Sequence, residues 1–112
     1  MKRISESTLS ITEKEALDKV KRTIRGFLPT ATVLLYGSVA RGTQRPDSDY
    51  DVLVLTEEPV PHAQQDVIDD AVYDVQLAHG VLIVVNFIDR ALWEQHPVMP
   101  LRQEVERDAI LL

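Results

Sequence analysis

Two acids, Asp49 and Asp51, stand at the head of an apolar run, Val52-Leu53-Val54-Leu55. An earlier run, Thr32-Val33-Leu34-Leu35-Tyr36, ends abruptly at Gly37-Ser38. On a strand, side chains alternate between faces, so both carboxylates leave the same side with Cα atoms about 6.5–7 Å apart. Like charges so placed repel unless a cation lies between them, and a pair of hard oxygen donors prefers Mg²⁺ or Mn²⁺. Taken alone, the pair reads equally well as two solvated acids on an edge strand. Gly37 lets the backbone approach a ligand closely, and the N–H groups of a following helical turn, with the Ser38 hydroxyl, suit an anion. Taken alone, Gly-Ser is also an ordinary strand-to-helix turn. It is not a Walker A loop, because Thr43 stands where that loop needs lysine.

These residues need elements to hold them. Thr12 and Glu15 have capping-box spacing, and Leu17, Val20, Ile24 and Phe27 follow at helical intervals, which predicts a helix over 13–25 closed by Gly26 and Pro29. The run 32–36 reads as a buried strand, 39–41 as a short helical turn, and 42–48 as a loop. A second strand over 49–55 turns Tyr50, Val52 and Val54 toward the core, opposite the two acids. Val67, Ile68, Ala71, Val72, Val75 and Ala78 stripe a helix over 63–79, with Gly80 at its end. A third strand covers 81–88, Asp89 caps a short helix through Glu94, and an amphipathic segment over 101–107 leads to an apolar end. The economical arrangement is α+β: one domain over 1–112, with a mixed sheet of three or four strands and helices mainly on one face.

The two motifs together, Leu35-Tyr36-Gly37-Ser38-Val39-Ala40-Arg41-Gly42 and Ser48-Asp49-Tyr50-Asp51-Val52-Leu53-Val54, resemble the signature of the DNA polymerase β-like nucleotidyltransferases. The nearest resemblance is to the minimal nucleotidyltransferases, short stand-alone domains, and it covers residues 33–55. It implies that Gly37 and Ser38 hold the phosphates of an NTP, ATP above all, while Asp49 and Asp51 hold Mg²⁺ and are the catalytic acids. It implies transfer of a nucleoside monophosphate to a hydroxyl, with Arg41 either touching the triphosphate or bracing its loop. Such domains often serve as antitoxin to a HEPN-type partner protein, which the resemblance therefore also implies. Whether the chain assembles with itself is left open.

One departure stands out. Family members usually carry a third carboxylate on the next strand, where this chain has Asn86 as the one polar side chain over 81–88. A neutral amide is no base at neutral pH, and losing a base costs about 10²–10⁴-fold in rate. The second reading is therefore a weak or inactive module that binds nucleotide, or only its partner, and neutralises that partner by contact. Asp69, Asp70 and Asp74 read as a solvated helix face, Trp93 as core, and His62, His79 and His96 as surface without zinc-ligand spacing. A formal charge of −6 argues against nucleic acid as the main partner, although Arg41 and Arg45 leave room for a local basic patch. The chain has no cysteine, signal-like start or apolar run long enough for a bilayer, so a cytoplasmic, membrane-free setting is expected.

Overall fold

The first helix opens two residues earlier than its most obvious cap. In a computed structural model, which describes all residues except Gln44, Pro46 and Asp47, α1 spans Ile11–Phe27 and is capped by Ser10. The Glu13 N–H donates to Ser10 Oγ at 3.1 Å, and the Ser10 N–H donates to Glu13 Oε1 at 3.0 Å. This is the capping box expected at Thr12 and Glu15, moved upstream. Both pairs satisfy the spacing. What favours Ser10 is a distant residue, because the Tyr50 hydroxyl donates to the other Glu13 oxygen at 2.8 Å. The helix also runs through Gly26 to Phe27, past Ile24, the last buried residue of its apolar stripe.

The remaining elements follow in the expected order. They are β2 (Thr32–Tyr36), α2 (Gly37–Arg41), β3 (Tyr50–Thr56), α3 (His62–His79), β4 (Ile83–Asp89), α4 (Arg90–Gln95) and α5 (Pro100–Asp108). Two-residue strands at the ends of the chain, β1 (Lys2–Arg3) and β5 (Ile110–Leu111), widen the sheet to five strands in the order β1-β5-β2-β3-β4. Parallel β3–β4 pairing and antiparallel β2–β3 pairing make it mixed, as expected. The two outer pieces were not foreseen, because two residues carry no periodicity.

Alternation along the strands sorts the core into two clusters. Val33, Leu35, Val52 and Val54 meet Leu17, Val20 and Ile24 of α1 and Ile68, Val72 and Val75 of α3. Each such side chain gains about 1.5–3 kcal/mol on full burial, so the two long helices hold this face. On the other face, Leu34, Tyr36, Leu53 and Leu55 lie under Val105 of α5, with Trp93 of α4 packed alongside. Trp93, expected in the core, is only partly buried against this cluster, and Arg102 lies over its ring at 5.6 Å from the centroid. This second cover is short. It leaves Val84 and Asn86 of the edge strand β4 exposed on the same face as Asp51.

Candidate active site

Register places the two motifs in one corner. Tyr36, the last residue of β2, pairs with Asp51 across the antiparallel ladder, so the Gly37 turn begins where that carboxylate stands. Gly37 has φ +79°, and a Cβ built there would run into Asp51 Oδ2. Glycine is therefore required twice, for the left-handed backbone and for the room the carboxylate occupies. Beyond it, α2 has no side-chain cap among the described residues, and the chain closes on Gly42 with the Thr43 N–H donating to the Ser38 carbonyl at 3.0 Å. The loop expected over 42–48 lies partly outside the described residues; within it, the Arg45 N–H donates to Ser48 Oγ at 2.7 Å.

Asp49 does not sit on the strand as expected. Pairing begins at Tyr50, whose N–H donates to the Leu82 carbonyl at 2.8 Å, and Asp49 lies exposed just before it. The two acids still feel one another. Asp51 is half-buried and its carboxyl is raised above the usual range, first by desolvation, then by the charges of Asp49 and Glu104, with Arg41 offsetting part of this. A corner that resists ionisation of one acid while holding another beside it is short of positive charge. Two carboxylates on the sheet rim fit Mg²⁺, which typically takes one or two protein carboxylates and fills its remaining positions with water and phosphate oxygens. Among the described residues, no group of three His, Cys, Asp or Glu side chains is placed to hold a metal by itself.

A profile of the nucleotidyltransferase domain matches residues 15–109. The chain belongs to that family. Among solved structures, this nucleotidyltransferase is similar to a minimal nucleotidyltransferase at 25% identity and TM-score 0.59, covering 95% of this chain and all of that one. It shares its fold with a chain of a toxin–antitoxin complex crystallised with AMP-PNP, at 22% identity and TM-score 0.58, covering 84% of this chain and 69% of that one. An RNA terminal uridylyl transferase matches at 20% identity and TM-score 0.50, over 86% of this chain but 36% of the other. No curated protein matches the sequence.

Within this nucleotidyltransferase, Arg41 is engaged from the side of α5. Its Nη1 lies 3.2 Å from Glu104 Oε1 and 3.6 Å from Asp108 Oδ2. Those two acids are four apart and share one face of α5. The structure thus shows Arg41 bracing α2 against α5. Sequence reasoning missed Glu104, since only the packing of α5 across the sheet brings it near. Its charge reaches both Asp51 and the Tyr36 hydroxyl, whose pKa is raised mainly by desolvation.

The neighbouring strand supplies no acid at the corner. Val84 is the register partner of Asp51, and Asn86 lies two residues further on the same face. Asn86 Nδ2 donates to the Tyr36 hydroxyl at 2.8 Å, a bond that spans β3 and ties β4 to the end of β2. Asp89, the last residue of β4, caps α4 by accepting from the Leu92 N–H at 3.2 Å, as expected. Asp69, Asp70 and Asp74 are exposed on α3.

Proposed function

We propose that this nucleotidyltransferase binds an NTP, ATP by preference, with Mg²⁺ at Asp49 and Asp51, and transfers its nucleoside monophosphate to a hydroxyl of a partner protein. The observation that carries the reading is the packing of the Asp51 carboxylate against the glycine-only turn at Gly37, which puts an acid and a run of backbone N–H groups in one corner. In this reading the Gly37-Ser38 turn receives the β- and γ-phosphates. The acceptor oxygen bonds to the α-phosphorus, the bond to the bridging oxygen breaks, pyrophosphate departs, and the hydroxyl proton passes to solvent or to a group on the acceptor. The divalent ion, when bound, neutralises charge developing on the phosphoryl oxygens. Arg41 sits at the mouth of the corner and exchanges Glu104 for phosphate when the nucleotide arrives.

The acceptor side favours a protein partner. The open face beside Asp51 carries exposed Val84 and Leu82, apolar surface that a docking protein would cover. By analogy with the toxin–antitoxin complex of similar fold, the partner is a toxin and this chain is its antitoxin; the resemblance of the two motifs to minimal nucleotidyltransferases adds that the toxin is of the HEPN type. One observation supports a second reading. Asn86 occupies the face where a third carboxylate would complete the site, so the domain could instead bind nucleotide and neutralise its partner by contact. Incubation with α-labelled ATP and a co-encoded partner separates the two. Label on the partner that disappears with Asp49→Ala/Asp51→Ala supports transfer, and nucleotide binding without label supports the contact mechanism.

A further inference from the structure

At the opposite end of β2, about 13 Å of strand from Tyr36 to Thr32, the molecule carries a second charged corner of the other sign. A cavity of about 270 Å³ opens between the C-terminal half of α1 and the ends of β1 and β5, lined by Arg3, Lys21, Arg25, Thr30, Leu111 and Leu112 among others. A smaller hollow of about 180 Å³ adjoins it at Ile4 and Ser5, sharing Arg3, Lys21, Leu111 and Leu112. In a chain of formal charge −6, three cations line this groove. Among the described residues, none of the three forms an ion pair; the arginine–carboxylate pairs of α1 and α5 lie elsewhere, at Arg22, Arg41, Arg102 and Arg107.

Arg25 is held in place there. Its Nε and Nη2 both donate to the Pro29 carbonyl, at 3.3 and 2.8 Å, which fixes the guanidinium beside Thr30 and leaves its other N–H donors unused. Three cations brought to one hollow give it a positive potential that attracts an anion. The volume admits one or two phosphate groups and the lining offers cations with hydroxyls beside them, a combination that suits phosphate better than a single carboxylate.

We propose that this groove is a binding site for a small, multiply charged phosphate ligand, of the pyrophosphate or phosphomonoester class. It is separate from the candidate active site, and it stands whether or not the nucleotidyl-transfer reading holds. The test uses the full chain with its acids intact and without divalent metal, so that no metal ion can hold a phosphate at the acidic corner. Inorganic pyrophosphate and inorganic phosphate are titrated while backbone amide shifts are followed. Saturable shifts at Lys21, Arg25 and Thr30 are expected, with pyrophosphate tighter than phosphate and both weakened as salt shortens the screening length from about 10 Å at 0.1 M to about 3 Å at 1 M. Lys21→Gln/Arg25→Gln should weaken pyrophosphate at least about tenfold, equivalent to about 1.4 kcal/mol. Lys21→Gln alone leaves the Arg25–Pro29 contact intact and should give a smaller loss in a demonstrably folded protein. Absence of saturation, shifts centred on Gly37 and Ser38, or equal affinity in the Lys21→Gln variant would each overturn the assignment. So would a short acidic peptide binding there more tightly than pyrophosphate.

Discussion

Replacing Gly37 with alanine tests the corner directly, and Gly42 provides an internal control. Both glycines have left-handed backbone, with φ +79° and +76°, so alanine at either pays a similar conformational cost of about 1–2 kcal/mol. Their surroundings differ. Among the described residues a Cβ at Gly42 meets nothing within 4 Å, whereas a Cβ at Gly37 collides with Asp51 Oδ2 and displaces the carboxylate. Turning a side chain off its rotamer costs about 0.5–1.5 kcal/mol, so Gly37→Ala should destabilise by about 1 kcal/mol more than Gly42→Ala. Urea denaturation measures both. In an Asp51→Ala background the colliding oxygen is gone, and the Gly37→Ala penalty should fall to that of Gly42→Ala, giving a coupling of about 1 kcal/mol in a double-mutant cycle. Equal costs for the two glycines, or no coupling, would refute the claim that Gly37 and the Asp51 carboxylate share one space.

Other consequences follow from particular contacts. Because burial and neighbouring acids raise the Asp51 pKa, the folded state holds that proton more tightly than the unfolded one, and stability falls as pH rises from the unfolded value toward the folded one. Asp51→Asn should therefore raise the melting temperature of the metal-free protein at pH 7, by no more than the roughly 1 kcal/mol expected of a mostly solvated carboxylate. That gain should vanish below about pH 3.9, where the acid is neutral in both states. Asn86→Asp adds a carboxylate on the face of Asp51, and single-turnover labelling should show faster transfer, up to about 10²-fold. Ser10→Ala should cost about 1 kcal/mol in thermal unfolding while Thr12→Ala costs far less, since only Ser10 caps α1.

What could be read from the sequence was what is local and periodic. β2, the Gly37 turn, β3 and the stripe of α3 each announce themselves through runs of a dozen residues or fewer, and the two motifs that touch in space each carry their own pattern. The contacts that tune the corner are of another kind. Glu104 reaches Asp51 and Arg41 only because α5 folds back over the sheet, and Tyr50 selects Ser10 over Thr12 as the cap of α1 from far along the chain. The short strands β1 and β5 owe their existence to the partners they meet, Ile110 and Leu111 pairing with both Lys2–Arg3 and Leu34–Leu35. Asp49 falls outside β3 because the ladder to β4 starts at Tyr50, a boundary that alternation alone does not set.

The most direct measurement is calorimetric titration of MgATP into the intact chain and into Asp49→Ala/Asp51→Ala. If the two acids grip a divalent ion bound to the triphosphate at Gly37, the intact chain should show saturable, Mg²⁺-dependent binding that weakens at least about 100-fold in the variant, a loss of about 2.7 kcal/mol. Binding of equal strength with and without the acids, or with and without the metal, would contradict that account.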